Sequence, residues 1–246
     1  MGFKTVCSEE VLLPVYIQKK LKCRYVEHSI PFLKIAPFKE EEVYLEPRIV
    51  VYHDVIHEDE IEAFKRLAKP KLKSAKVRNF ATGKKEPSTG RIAKNAYLEN
   101  DENEHIQLLR RRVQHMTGLT VDTAERLHIS YYTIGGFYLP HFDAVHEEDK
   151  NSLKEFGTGN RIATVLFYMN DVAKGGSTVF PALNFTIKPK KGSAVFWYNL
   201  KRNGEIEYLA VHGACWVLSG TKWISTIWLH EHGQEFRRPC TLLEDE

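Results

Sequence analysis

The chain has 246 residues, 43% of them hydrophobic, which is enough to bury the core of one enzyme-sized domain. Its 35 basic and 32 acidic residues leave a net charge of +3, so nothing demands a nucleic-acid partner; clusters such as Lys69 to Lys76 and Lys188 to Lys191 read as solvated faces. No apolar run is long enough for a membrane span, and Glu9 and Glu10 break the N-terminus before a signal-peptide core can form.

Residues 1–45 read as an N-terminal extension that packs on the rest, and residues 46–124 as a helical support region. Ile61, Phe64, Leu67 and Ala68 fall on one face of a predicted helix over about 57–68, which stops before Pro70. Ile106, Leu109, Val113 and Met116 do the same over about 101–117, and Gly118 suits the position after the last turn. Between them, Thr82-Gly83-Lys84-Lys85 and Pro87-Ser88-Thr89-Gly90 predict a mobile loop near 79–90.

From residue 125 the period changes to two. Leu127, Ile129 and Tyr131 alternate with His128, Ser130 and Tyr132, and Gly135-Gly136 punctuates a turn. Strand-like runs follow at 161–168, 177–180, 192–198 and 208–228, the last broken at Ser219-Gly220. Seven or eight short strands with helices outside them predict an α+β protein with a jelly-roll core over 125–246, all in one catalytic domain. The triplet Asn184-Phe185-Thr186 is a sequon, and such triplets are common by chance. Cys7, Cys23, Cys215 and Cys240 lack the C-x-x-C spacing of a zinc site, and spacing leaves three pairings, or free thiols, open.

Three His-x-Asp/Glu triplets occur. His57-Glu58-Asp59 opens the first helix, and His146-Glu147-Glu148 belongs to a charged, solvated run. His141-Phe142-Asp143 lies in aromatic, strand-like sequence, where residues i and i+2 share a face and can reach one metal ion. With His212 as the third ligand this is a 2-His-1-carboxylate triad, the pattern of non-haem Fe(II) oxygenases. His230 and His232 are lower-ranked rivals, lying beyond the last aromatic strand residue. Lys222, ten residues past His212 and across the Ser219-Gly220 turn, is placed to hold the distal carboxylate of 2-oxoglutarate.

Longer motifs carry a resemblance. Gly157 to Thr164 (GTGNRIAT), Gly175 to Pro181 (GGSTVFP), Ala194 to Leu200 (AVFWYNL) and Trp228 to Cys240 (WLHEHGQEFRRPC), in this order, resemble the catalytic domain of the collagen prolyl 4-hydroxylase α subunit from about Cys7 to Cys240. The resemblance implies a double-stranded β-helix, procollagen-proline 4-dioxygenase activity, iron ligands His141, Asp143 and His212, and Lys222 as the 2-oxoglutarate anchor, where lysine favours the collagen-type branch. It further implies Tyr132 and Thr178 at 2-oxoglutarate, and Tyr138, Arg161, Trp228 and His230 near the peptide substrate; core packing competes for Trp228 and more strongly for Trp197. It pairs Cys7 with Cys23 and Cys215 with Cys240. Fe(II), O2 and ascorbate are the implied cofactors, a proline-rich collagen-like peptide the substrate, protein disulfide isomerase the β-subunit partner, and the endoplasmic-reticulum lumen the location. No counterpart of the α subunit's signal peptide, dimerisation region and peptide-binding domain is expected in these 246 residues, which read as a catalytic fragment or a short relative; either reading bears on assembly and leaves the active-site chemistry untouched. The alternatives are a 2-oxoglutarate oxygenase with a non-collagen substrate, or a catalytically silent collagen-binding subunit.

Overall fold

The computed structural model describes residues 2–8, 13–78, 85–87, 89–146, 153–154 and 156–242. Two antiparallel sheets dominate. The major sheet has nine strands in the spatial order Cys23–Val26, Phe38–Tyr44, Ile49–His53, Ala194–Tyr198, Arg161–Tyr168, Lys222–His230, Leu127–Tyr132, Lys94–Leu98 and Lys73–Ser74. The minor sheet has five, in the order Phe185–Ile187, Thr178–Phe180, His212–Ala214, Phe137–His141 and Arg91–Ile92. The chain crosses repeatedly between them, which is the jelly-roll arrangement expected from the strand spacing.

Alternation along the central strands splits the apolar residues between two cores. Ala163, Val165, Phe167, Ile227 and Leu229 face outward and join Ile61, Phe64, Ile106, Leu109 and Val113 from the two long helices. Leu166, Tyr168, Val195, Trp197 and Ile224 face inward and join Phe180, Phe185 and Ala214 of the minor sheet. Helices thus cover one face of the major sheet and leave its other face to line the interior. Phe64 and Phe167 are fully buried in the outer core. Truncating either to Ala would leave a cavity costing about 3–5 kcal/mol.

The helices span Glu58–Ala68 and Glu104–Thr117. The Glu60 carboxylate accepts a 2.8 Å hydrogen bond from the His57 backbone N–H, closing the first helix's N-terminus. Asn103 caps the second by accepting from His105 N–H, and Gly118 ends it in the left-handed region at φ 73°. The region 46–124 does more than supply helices. Ile49–His53 and Lys94–Leu98 complete the major sheet, and Arg91–Ile92 edges the minor one. Residues 1–45 likewise add two strands to the major sheet. The loop expected near 79–90 lies largely outside the described residues; its described ends pair as a short ribbon, Lys76–Arg78 with Lys85–Pro87.

The cysteine pairing implied by the resemblance is overturned. Cys7 is bonded to Cys215, and Cys23 and Cys240 are exposed thiols. Packing explains the exchange. The N-terminal helix Phe3–Ser8 buries Val6 beside Val179 and Cys215 of the minor sheet, which carries Cys7 to Cys215 with a Cα–Cα distance of 5.5 Å. Cys23 instead begins the edge strand of the other sheet, where it faces Glu41 across the ladder.

Candidate metal centre

His141 and His212 are direct cross-strand partners in the minor sheet, so their imidazoles project from the same face. Asp143 follows His141 by two residues, just past the strand end. Its Oδ1 lies 3.7 Å from His141 Nε2, and its Oδ2 lies 3.5 Å from His212 Nε2. One ligand atom from each of the three lies within 4.8 Å of the others, the grouping this donor set needs for a single ion. Each imidazole is oriented by its other nitrogen. Nδ1 of His141 donates to the Leu139 carbonyl at 2.9 Å, and Nδ1 of His212 to the Ala210 carbonyl at 3.1 Å. That tautomer leaves both Nε2 lone pairs turned toward Asp143.

Electrostatics favour the protonation states a metal requires. Burial and the neighbouring His212 push the His141 pKa down, keeping the ring neutral. Burial alone would raise the Asp143 pKa, but it is outweighed by His212 and His141, which act when protonated as the pH falls, and by the permanent charge of Arg161, so the carboxyl stays ionised. The Trp228 indole contributes to the same pull, although its N–H falls short of a well-formed hydrogen bond. Asp143 Oδ2 also accepts from the Thr164 hydroxyl at 2.7 Å. Two imidazole nitrogens and a carboxylate oxygen suit Fe(II).

A second polar group sits on the inner face of the Lys222–His230 strand. Lys222, Ile224, Thr226 and Trp228 alternate inward, and Lys222 pairs with Tyr132 on the neighbouring strand. The Lys222 side chain is fully buried, and its Nζ has no hydrogen-bond partner among the described residues. It lies 5.7 Å from the Tyr132 ring centre and 5.6 Å from that of Tyr168. Desolvation lowers its pKa to about 7. An orphaned ammonium costs free energy that a carboxylate beside it would recover, so this lysine suits the anionic end of a dicarboxylic acid. The Tyr168 hydroxyl donates to Thr178 Oγ1 at 2.7 Å, which leaves the Thr178 proton free to turn toward such an anion.

The four residues expected near a peptide fall around the mouth in different ways. Tyr138 stacks on His141 with ring centres 3.6 Å apart, and the Arg91 guanidinium lies 4.3 Å from the Tyr138 ring centre. Arg161 lies 4.0 Å from the Trp228 ring centre and is held by Glu125. His230 is almost wholly buried: its Nε2 meets Glu125 at 3.2 Å, and its Nδ1 lies 2.9 Å from both the Thr158 hydroxyl and the Gly159 carbonyl. It sits behind Arg161 and orders Glu125. Burial would raise the Glu125 pKa, yet His230 and Arg161 bring it down to about 2, so the clamp on Arg161 is anionic. Trp197 packs edge-on against His212 in the inner core. Of the rival histidines, His57 starts a helix, His146 packs against Phe142 and Tyr208, and His232 is exposed.

Sequence reasoning missed Tyr168, Thr164, Asn199 and Glu125. For the first two a signal existed. Past the irregularity at residues 161–163, even-numbered residues of this strand face inward with Leu166, so parity marks Thr164 and Tyr168. Asn199 and Glu125 lie just outside regular strands, where parity is silent.

Comparison with known proteins bears on the same segment. Residues 127–230 match the model of the 2OG-Fe(II) oxygenase superfamily. Over 93% of its length the chain is 51% identical to prolyl 4-hydroxylase subunit alpha-1 of Homo sapiens, of which it covers 43%. It is 48% identical over 99% of its length to prolyl 4-hydroxylase subunit alpha-2 of Caenorhabditis elegans, covering 45% of that protein. The chain therefore spans under half the length of these curated relatives. A collagen prolyl hydroxylase of Paramecium Bursaria Chlorella virus-1, solved as a 2OG complex, superposes with a TM-score of 0.56 at 20% identity, over 73% of this chain and 94% of that one.

Proposed function

The chain is a homologue of the prolyl 4-hydroxylase α subunits with a 2OG-Fe(II) oxygenase domain over residues 127–230, and from that premise we propose that it hydroxylates C4 of peptidyl proline in collagen-like sequences. The observation that carries this reading is the pairing of a His-Asp-His cluster with a buried lysine that has no hydrogen-bond partner among the described residues, both inside one jelly roll. The first holds a metal by one face; the second takes the far carboxylate of a chelating oxo acid.

Fe(II), when bound, supplies the oxygen chemistry: O2 and 2-oxoglutarate give succinate and CO2 while one oxygen atom enters the proline C4–H bond, and ascorbate returns iron oxidised in uncoupled turnovers. The protein's part is positioning. His141, Asp143 and His212 hold the metal, with both rings fixed by backbone carbonyls. Lys222 pairs with the distal carboxylate of 2-oxoglutarate, and the Tyr132 and Thr178 hydroxyls add hydrogen bonds to it. Tyr138, Trp228 and Arg161 offer ring and guanidinium faces to a proline-rich chain, whose polyproline II form is already extended and low in entropy. His230 serves this surface from behind by ordering Glu125 and Arg161.

The half-identity to α subunits supports a protein disulfide isomerase β subunit as partner and the endoplasmic-reticulum lumen as location. A disulfide is consistent with such an oxidising compartment. No helix among the described residues is long and apolar enough to cross a membrane.

Incubation with Fe(II), 2-oxoglutarate, ascorbate and a Pro-Pro-Gly repeat peptide, read by mass spectrometry, tests the function. The expected result is one added oxygen on the proline preceding glycine, with an equal amount of succinate. Succinate without peptide oxidation would move the substrate away from collagen-like chains. Absence of both would make this a silent binding subunit.

A further inference from the structure

The metal-binding carboxylate is itself held from behind, by a chain of two hydrogen bonds that ends in a buried amide. Thr164 stands in the middle of the major sheet, paired with Trp197 on one side and Trp228 on the other. Its hydroxyl donates to Asp143 Oδ2 at 2.7 Å and accepts from Asn199 Nδ2 at 2.9 Å. Thr164 and Asn199 are 1% and 3% exposed. Asn199 cannot drift, because its own N–H donates to the Ile162 carbonyl and its carbonyl accepts from Glu207 N–H, each at 2.9 Å.

The polarity of this chain is fixed by chemistry. An amide –NH2 is donor only, so Thr164 Oγ1 must accept from Asn199, and its single proton is committed to Asp143. Asp143 Oδ2 thus accepts the hydroxyl while lying 3.5 Å from His212 Nε2, and Oδ1 lies 3.7 Å from His141 Nε2. Buried hydrogen-bond chains of this kind strengthen one another, and their loss leaves an amide N–H without a partner.

We propose that Thr164 and Asn199 are positioning residues that lock the Asp143 carboxylate in the orientation in which it meets the metal together with His141 and His212. The inference rests on the iron reading and deepens it. A carboxylate free to swing would cost the site both affinity and a single defined arrangement of its three donors, and the hydroxyl of Thr164 opposes that swing.

The test is metal binding by the full chain, without turnover. Co(II) and Mn(II) are titrated into wild type, Thr164→Val, Thr164→Ser and Asn199→Ala, with Kd from calorimetry and the visible spectrum of the Co(II) form recorded. Val matches threonine in shape and removes the hydroxyl; Ser keeps it. Thr164→Val should weaken Co(II) and Mn(II) binding by about 10- to 100-fold and change the Co(II) spectrum, with Ser restoring both toward wild type. Asn199→Ala, which leaves Thr164 and every ligand in place, should shift Kd in the same direction by a smaller factor and serves if the valine variant does not fold. Unchanged Kd and spectrum in Thr164→Val, or equal losses in Val and Ser, would overturn the lock while leaving the metal site standing. A wild-type chain that binds neither metal would overturn both.

Discussion

The Tyr138 ring lies stacked on the His141 imidazole, 3.6 Å between centres at an interplanar angle of 21°, so one face of the proposed metal ligand is sealed by an aromatic side chain. Such a contact contributes about 0.5–1.5 kcal/mol beyond the area it buries. Tyr138→Phe should retain it and leave the Kd for Mn(II) near wild type. Tyr138→Leu should weaken Mn(II) binding by about 3- to 10-fold, measured by titration of the paramagnetic signal of the free ion. Equal behaviour of Phe and Leu would show that stacking does not steady His141.

Loss of any one ligand should be decisive. His141→Ala, Asp143→Ala and His212→Ala should each abolish hydroxylation, since two remaining ligands rarely hold Fe(II) productively. His57→Ala and His146→Ala should leave turnover largely intact, because His57 stands at a helix N-terminus that its backbone N–H closes and the His146 ring packs against Phe142 and Tyr208. Peptide oxidation by mass spectrometry, with circular dichroism for folding, separates the two groups.

Lys222 gives a prediction in pH. Burial lowers its pKa from an ordinary 10.5 to about 7, so between these values the unfolded chain binds a proton that the folded chain does not. The cost of burying the cation is therefore fully present below about pH 7 and fades as pH rises toward 10.5, a range worth roughly 5 kcal/mol. Lys222→Met should raise the Tm of protein free of 2-oxoglutarate, most below pH 7, with the gain shrinking toward pH 10. Lys222→Ala should raise the KM for 2-oxoglutarate at least about tenfold with metal affinity unchanged, and Lys222→Arg should rescue only in part, the guanidinium being bulkier and forked. Normal 2-oxoglutarate dependence in Lys222→Ala would transfer the anchor to another residue.

The disulfide is open to direct chemistry. Peptide mapping without reductant should recover a Cys7–Cys215 cross-link, and alkylation should label Cys23 and Cys240. The bridge joins residues 208 apart, and the chain-entropy model gives such a closure about 5 kcal/mol, so reductant should lower Tm markedly. Recovery of Cys7 linked to Cys23 would contradict the arrangement described above.

What could be read from the sequence was what depends on local period. The His141–Asp143 spacing, the inward parity of Lys222 and the two helices are set by residues a few positions apart, and pattern reading reaches them. The Cys7 partner depends on which sheet the N-terminal helix covers, a choice made by Val6 packing with Val179. Asn199 gains its role only because the sheet brings it beside Thr164, 35 residues away in sequence. The strands of region 46–124 were hidden because a short apolar run such as Ile49-Val50-Val51-Tyr52, buried on both faces, lacks alternation.

Depth within the jelly roll also imposes a sequence of events. The Lys222 side chain is wholly enclosed, between strands bonded to neighbours on both sides, whereas His141 keeps 21% of its side-chain surface open at the rim. If a dicarboxylic acid reaches the lysine past the more exposed His141, a peptide lying across Tyr138 and Trp228 would block its passage. Binding should accordingly be ordered, small acid first and polymer second, with excess peptide slowing the arrival of 2-oxoglutarate in rapid-mixing experiments while leaving its final occupancy unchanged.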